Sequence, residues 1–512
     1  MNIVYAVKIM LALMIVALAM RIVAGRGLKQ VVSPHDMKTG WIGIAGTLFV
    51  SCFAVKVPFF FVLLPIWALM LSNLFGRHGA GRLPAYALLV CICPPMGMEL
   101  QNIGPIKDIL SLNAPRILEI FLLAPEAVRL FNRRGQRRKP SWLVACDVAT
   151  GLFYAYWMLY LYGGQALTVI VREGLGLGLD TLVPYYVLTR ACVAADARRR
   201  AMGMILFGAT YQSFVGMAES ASGHYLYSQL QYLYNTRWAQ STGLMRGMWL
   251  RAEAAFPGPL ALAVLLMFGL GLWFVMKPRI KTHSYTILGL SLTGGLLATY
   301  GRGPLLATML LALGVAALRF LSGKKYLVLM LAGGAVLASA WSAGLGDAVI
   351  GLVSATTGAD QAADFNVLYR QQLLTESLAL LQQSPWWGVP NYLAYLENLR
   401  QGEGIIDLVN TYLVVALNVG AFGLSLFLIP FGVTLWKEAS RAEDPDPASR
   451  REGRMWLPLT VAVMAAVFTV SPTSIVRPIL VWVVALALAR LQETLPEAKR
   501  FGFDAAAAAQ PR

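Results

Sequence analysis

The chain has 512 residues, of which 57% are hydrophobic and only 13% are charged. A soluble domain carries about 25% charged residues, so this composition excludes a soluble globular protein and indicates one that crosses a membrane many times. The net charge of +17 could indicate nucleic-acid binding, but most of the Lys and Arg fall in short loops between apolar runs. That placement is a topology signal, and no nucleic-acid partner is predicted.

Apolar runs long enough to cross the hydrocarbon as helices follow one another along the chain. They predict an all-α polytopic membrane protein with about 12–15 transmembrane helices, each of about 17 to 25 residues. The predicted spans lie at residues 3–20, 41–55, 58–75, 84–98, 117–131, 142–163, 181–197, 201–219, 257–276, 284–300, 304–321, 326–345, 409–436, 456–473 and 477–495.

The basic residues predict the orientation, because cytoplasmic loops accumulate Lys and Arg. Well over half of the 43 Lys and Arg fall in one set of alternate loops, which includes RRGQRRK at residues 133–139. This predicts that the N-terminus lies outside the membrane and the C-terminus inside. Basic residues also follow the first apolar run, which is therefore predicted to stay as an anchor.

The spans and loops divide the chain into consecutive segments. Only two of the predicted external segments are long, and the second is expected to contain short helices. The segments are an N-terminal transmembrane bundle (1–219), an external aromatic and basic loop (220–256), core transmembrane helices (257–345), a large periplasmic loop (346–408), C-terminal transmembrane helices (409–495) and a disordered cytoplasmic tail (496–512).

Charged residues inside membrane spans are typical of transporters. Arg190 and Asp147 lie in neighbouring spans and are expected to form a structural ion pair. A transporter would bury more such groups and show repeated halves, and the sequence shows neither a repeat nor an acidic relay. The phosphate-loop, zinc-protease and GxSxG patterns are missing too, so neither a metal nor a cofactor is predicted. The external face is the expected place of function.

The stretch TYGRGPLLA, residues 299–307, places an arginine between two glycines in an apolar region. Pro304 suits the first position of a helix, because the backbone donor that it lacks would have no partner there. The amides of Leu305 and Leu306 would then lie near Arg302, and helix-terminal amides with a guanidinium make an anion site. The flanking glycines would let a substrate approach the backbone. The alternative is an interfacial arginine that snorkels at a helix end.

The middle of the large loop has helical periodicity. In YRQQLLTESLALLQQ one face carries Arg370, Leu373, Leu374, Ser377 and Leu381, and we expect this face to rest on the protein or membrane surface. The proline of the following SPWWGV should stop the helix, and its two tryptophans suit the headgroup level.

Three segments in this order resemble one family. A GRGPLL segment opens a late span, an Arg-led helix ending in a Pro-x-x-Gly turn lies in the large external loop, and DLVNTYLVVALNVGAFGL follows. Together with TGLMRGMWLRAEAAFPGPLALAVLL, they are similar to the O-antigen ligase and polymerase superfamily. The likeness covers roughly residues 240 to 430.

The resemblance implies an all-α, GT-C-like membrane enzyme that transfers glycan outside the membrane without a metal. Its substrate would be an undecaprenyl-diphosphate-linked saccharide, its acceptor a saccharide or lipid hydroxyl, and a chain-length regulator would be a further partner. Family arginines that bind the diphosphate carry over to Arg302 and Arg370. The ligases place a functional histidine before an asparagine; Asn410 matches the asparagine, but Val409 stands at the histidine position. This departure favours a Wzy-type polymerase over a ligase, and a flippase is the rival from another class.

The chemistry of this glycan transfer indicates which further residues are candidates for the site. Cations that stabilise the leaving diphosphate lower the barrier, so Arg246 or Arg251 could join the two arginines. The acceptor hydroxyl needs a base, for which Asp407 is the first candidate, followed by Glu403 and His224. Trp387 could stack on a sugar face, although interfacial anchoring explains it nearly as well, and Asn410, Tyr412 and His224 are further candidates for saccharide binding.

Overall fold

The computed structural model describes residues 3–54, 56–77, 79–100, 110–132, 140–162, 166–230, 245–246, 249–276, 283–317, 325–329, 332–333, 360–400, 406, 408, 410–442, 447–470 and 476–493. These residues are almost entirely helical. The helices are α1 (Ile3–Val23), α2 (Gly25–Leu28), α3 (Pro34–Phe53), α4 (Val57–Phe75), α5 (Arg82–Ile92), α6 (Ala114–Leu118), α7 (Ala124–Asn132), α8 (Ser141–Tyr162), α9 (Leu167–Leu177), α10 (Val183–Ala191), α11 (Ala195–Ser222), α12 (Pro259–Val275), α13 (His283–Ala298), α14 (Arg302–Ala317), α15 (Asp360–Gln383), α16 (Thr411–Arg441), α17 (Pro447–Val467) and α18 (Val476–Glu493).

The remaining regular elements are short. Two π-helical turns, Glu119–Leu123 and Gly178–Leu182, join α6 to α7 and α9 to α10, and a 3-10 helix covers Tyr392–Leu399. Strands β1 (Gly97–Leu100) and β2 (Leu110–Asn113) pair antiparallel, as do β3 (Met245–Arg246) and β4 (Trp249–Leu250).

The all-α polytopic membrane architecture is confirmed. Among the described residues, α1, α4, α8, α11 and α16 are each long and apolar enough to cross a membrane. The other predicted spans also fall on helices of the described part, except that most of 326–345 lies outside it.

Several predicted boundaries are wrong, and two of them change the course of the chain. The span 181–197 belongs to a longer helical stretch that begins at Leu167, so that Arg172 lies on a helix and not in a loop. The span 84–98 ends early, because α5 stops at Ile92 and the chain turns into β1. Both errors arise because the span limits were predicted from local runs of apolar residues. A charged stretch inside a helix, or an apolar stretch that continues into a turn, shifts such a limit.

Helix α11 is the centre of the bundle. Its most apolar window is 83% buried, against 22 to 44% for the other long apolar helices of the described part. A Cβ on Gly208 of α11 would lie 2.6 Å from the Cβ of Cys91 on α5, and a Cβ on Gly295 of α13 would lie 2.6 Å from Ser213 of α11. Small residues thus let neighbouring helices touch α11 closely, as is typical of membrane bundles.

Buried carboxylates contradict the expectation that this chain lacks buried acidic groups. Asp180 and Glu438 are fully buried, and each pairs with an arginine: Arg116 Nε and Nη2 both lie 2.9 Å from Asp180, and Arg490 Nη1 lies 2.5 Å from Glu438. The predicted pair is confirmed, with Arg190 Nη2 2.6 Å from Asp147 Oδ2. Since their charges are compensated, these carboxylates are structural ion pairs that join helices, which is how buried charges persist.

Candidate functional site

The TYGRG motif forms the sharp turn between α13 and α14. The hydroxyl of Thr299 donates to the carbonyl of Leu296 at 2.7 Å and accepts the amide of Gly301 at 3.1 Å. Tyr300 is held at φ 50°, in the left-handed region that a residue with a side chain seldom adopts. The hydroxyl of Tyr300 interacts with Ser220 at the end of α11.

The position of Arg302 in the helix differs from the prediction. Helix α14 begins at Arg302, two residues before Pro304, and the amide of Leu305 donates to the carbonyl of Gly301 at 3.1 Å. The amides that come before the first helical hydrogen bond are therefore those of Arg302 and Gly303, because Pro304 has none. The expected arrangement of a cation at a helix N-terminus holds, with Arg302 half-buried at its first residue.

The two glycines of the motif were predicted to leave space for a substrate, and this prediction is wrong. A Cβ on Gly303 would lie 1.8 Å from Thr469 Oγ1, just beyond α17, and a Cβ on Gly301 would lie 3.0 Å from Ala263 of α12. Protein atoms already fill both positions. The glycines therefore let the start of α14 pack against its neighbours, which fixes the place of Arg302.

Arg251 lies beside the same turn. Its Nε donates to the carbonyl of Thr299 at 3.4 Å, and the amide of Ala252 donates to the carbonyl of Ala298 at 3.0 Å. The predicted loop arginine is thus placed next to the motif that carries Arg302, while the side chain of Arg246 on β3 lies outside the described residues.

A buried carboxylate orders this end of the bundle. Glu219, in the last turn of α11, accepts the amide of Leu226 at 2.8 Å, that of Glu253 at 3.1 Å and that of Ala254 at 2.8 Å. These donors come from two loop segments, one after α11 and one before α12. Because a carboxylate with several amide donors is strongly held, Glu219 ties both segments to the bundle and so sets the place of Arg251.

The starts of α14 and α16 meet at the end of α17. Thr469 packs on Gly303, and the carbonyl of the next residue, Val470, accepts the hydroxyl of Thr411 at 2.6 Å. Asn410 caps α16, with its Oδ1 accepting the amide of Leu413 at 3.1 Å. Two helix N-termini, which carry partial positive charge, therefore converge, one opened by Arg302 and the other by Asn410.

The large-loop helix α15 packs as its periodicity predicts. Leu373 and Ser377 are buried, and Leu374 and Leu381 are partly buried. This face joins a small core that is shared with the start of α16, made of Leu373, Leu380, Tyr392, Leu396, Leu399, Leu408, Leu413 and Leu417. The helix ends at Gln383, two residues before Pro385, as expected.

The turn after α15 docks into a break in α16. Within α16 the backbone is non-helical at Val419 and Gly420. We call residues 385–389, PWWGV, the loop turn; its Trp387 contacts Phe422 of α16, with ring centroids 6.0 Å apart, and Tyr156 of α8, at 6.4 Å. Trp387 is thus an exposed aromatic, 57% accessible, on an aromatic surface made by three elements.

For most of the remaining candidate residues, the side chain lies outside the part of the chain that the structure describes. Asp407, Glu403 and Val409 lie outside the described residues, and of Arg370 only the backbone, on α15, lies within them. His224 is exposed in the segment after α11.

The interpretation of Tyr412 as a saccharide contact finds no support in its geometry. Its hydroxyl donates to the carbonyl of Met464 in α17 at 2.8 Å, and its ring lies against Phe427 and Phe468. Tyr412 therefore joins α16 to α17.

Sequence reasoning missed three contributors: Glu219, Thr469 and the Gly388–Gly420 contact described below. A lone glutamate near the end of an apolar run was the available signal for Glu219, since such residues persist in membranes only with partners. Nothing local marks Thr469 as the neighbour of Gly303.

Comparison with protein families gives a match in the second half of the chain. Residues 286–428, from α13 to the part of α16 just beyond its break, match the family model described as O-antigen ligase. No curated protein matches the chain.

Proposed function

We propose that this chain, whose residues 286–428 match the family model described as O-antigen ligase, is a polysaccharide polymerase of the Wzy type in the O-antigen ligase and polymerase superfamily. It joins undecaprenyl-diphosphate-linked repeat units at the periplasmic face of the bacterial inner membrane, and it needs neither metal nor cofactor. The product would be an O-antigen, a capsule or an exopolysaccharide.

The observation that supports this proposal best is the convergence of the α14 and α16 N-termini at Thr469 and Val470. A diphosphate carries several negative charges, and helix N-termini with an arginine are suited to hold them. Arg302 opens α14, Arg251 lies on the adjoining turn, and Arg370 lies on the loop helix that packs on the start of α16. These three arginines form the proposed diphosphate site.

In the proposed reaction, the non-reducing-end hydroxyl of one lipid-linked repeat unit attacks C1 of the saccharide at the reducing end of a growing chain. The new bond joins the hydroxyl oxygen to C1, and the bond from C1 to the diphosphate oxygen breaks. The hydroxyl proton passes to a base, and the lipid diphosphate leaves with both bonding electrons. The arginines stabilise the negative charge that develops on the leaving group. Such electrostatic stabilisation is usually the largest single contribution to the lowering of the barrier.

The base is proposed to be Asp407, three residues before the Asn410 cap. A base in hydrogen-bond reach contributes about 10²- to 10⁴-fold. Glu403 and His224 are the next candidates. Trp387 and its aromatic neighbours offer faces on which sugar rings could stack, and a chain-length regulator is proposed as a partner.

A ligase that transfers glycan to lipid A core is the second candidate, since the family match does not separate it from a polymerase. It would use the same diphosphate site and differ only in the acceptor. Purified protein with a synthetic lipid-diphosphate repeat unit separates the two. Lengthening of the saccharide without another acceptor supports the polymerase, and transfer only when lipid A core is added supports the ligase. Absence of any covalent product under both conditions would refute both enzyme functions and leave the flippase.

A further inference from the structure

We propose that Gly388 and Gly420 are positioning residues for glycan transfer, because their contact locks the loop turn into the break in α16. The inference rests on the proposed function, since it names what holds the large loop in place for that reaction. Neither residue is expected to touch the substrate.

The break in α16 leaves backbone groups that an intact helix would pair, and the loop turn pairs them. In a continuous helix the amides of Ala421 and Phe422 would donate to the carbonyls of Leu417 and Asn418. Here Ala421 donates to the carbonyl of Pro385 at 2.8 Å and Phe422 to that of Trp386 at 3.3 Å. The carbonyl of Leu417 instead accepts the amide of Val389 at 2.6 Å. The turn therefore takes the place of one turn of helix.

Only glycine fits at the two closest points. Gly388 has φ 83° and Gly420 has φ 64°, both in the left-handed region. A Cβ on Gly420 would lie 2.2 Å from the carbonyl oxygen of Trp386, and a Cβ on Gly388 would lie 2.6 Å from that of Leu417. Since the obstructing atoms are backbone, they cannot rotate away, and a side chain at either position must push the turn out.

A second helix, α8, also holds the same turn. The hydroxyl of Tyr160 in α8 donates to the carbonyl of Gly388 at 3.3 Å, and that of Tyr156 donates to the carbonyl of Trp387 at 3.5 Å. The turn thus joins α8 and α16, and it adjoins the end of α15.

The docked turn fixes the position of the loop helix, which carries Arg370, relative to the start of α16 and to Arg302. It is continuous with α15, which carries Arg370, and it contacts the break in α16 about three helical turns after the Asn410 cap. The start of α16 is bonded through Thr411 to Val470, next to the contact between Thr469 and Gly303. Undocking would therefore free the loop helix to move relative to the start of α16 and to Arg302, and misplacement by about 1 Å can cost about 10²-fold in rate.

The test compares Gly388→Ala, Gly420→Ala and the double variant with Gly432→Ala, in reconstituted full-length protein. Gly432 lies in the same helix, and a Cβ there would meet nothing within 4 Å, so it controls for helix propensity. We expect the first two variants to speed hydrogen exchange at the amides of Val389, Ala421 and Phe422. They should lower kcat about 10²-fold with little change in KM, and the double variant should lose little more than either single one, because both break one contact.

A milder variant covers the case in which the glycine substitutions unfold the protein. Tyr160→Phe removes only the hydrogen bond to the carbonyl of Gly388, and it should lower kcat by about two- to tenfold with faster exchange at Val389. If hydrogen exchange at these amides is faster but kcat is unchanged, in a preparation whose wild-type protein is active, the positioning role alone is overturned. Unchanged hydrogen exchange in Gly420→Ala would overturn it as well. A wild-type protein that forms no product with any acceptor would overturn the proposed function, and the positioning role with it.

Discussion

Arg302 is the side chain on which the proposed diphosphate site depends most. Arg302→Ala should lower turnover about 10²- to 10³-fold, because a cation fixed at the leaving group is lost. Arg302→Lys should also be poor, since a point charge does not reproduce the planar fork of arginine. Turnover of a lipid-diphosphate repeat unit by purified protein gives the measurement.

Arg400→Ala is the matched control for Arg302. Arg400 is an exposed arginine of the same large loop, paired with Glu397 at 2.6 Å, and such surface pairs contribute little. Equal losses in the two variants would point to a general charge effect, and near-normal turnover of Arg302→Ala would remove Arg302 from the mechanism.

Gly303 allows a test of how the start of α14 is placed. A methyl group at Gly303 would overlap Thr469, so Gly303→Ala should destabilise the protein by about 1–3 kcal/mol and reduce turnover. Adding Thr469→Gly removes the obstructing side chain and should restore much of both losses. Thermal unfolding and turnover of the single and double variants measure this, and a double variant no better than Gly303→Ala would contradict the contact.

At the scale of whole elements, Glu219 is the residue that holds two loop segments to α11. Glu219→Gln replaces one acceptor oxygen by a donor that faces backbone amides, and each orphaned amide costs about 1–3 kcal/mol. We expect faster hydrogen exchange at Leu226, Glu253 and Ala254, together with lower turnover as Arg251 loses its support. Glu173→Gln is the control, because that side chain is 41% exposed. Unchanged exchange at the three amides would contradict the proposed clamp.

The helices could be predicted because a membrane span needs one long apolar run, which composition reveals. The start of α9 was missed because Arg172 and Asp180 interrupt the apolar pattern, and the distant Arg116 and Arg477 show why Asp180 can be buried there. The chemistry of the candidate site stays a prediction, and its contacts could not be predicted. That Gly303 meets Thr469, or Gly388 meets Gly420, depends on residues far apart in the chain, and local periodicity carries no information about such pairs.

For the whole molecule, the orientation in the membrane stays a prediction, and two exposed histidines allow it to be measured. His35 lies in the first turn of α3 and His224 after α11, at the two opposite ends of the bundle. All five native cysteines are buried, so a cysteine introduced at either position can be labelled selectively.

We expect a membrane-impermeant maleimide to label His224→Cys in intact spheroplasts and His35→Cys only after permeabilisation, because basic loops stay in the cytoplasm. The opposite result would place Arg302 and Glu219 on the cytoplasmic side. An enzyme with its diphosphate site there could not act on saccharides already moved to the periplasmic leaflet, so reversed labelling would contradict the proposed polymerase even if every arginine variant lost activity.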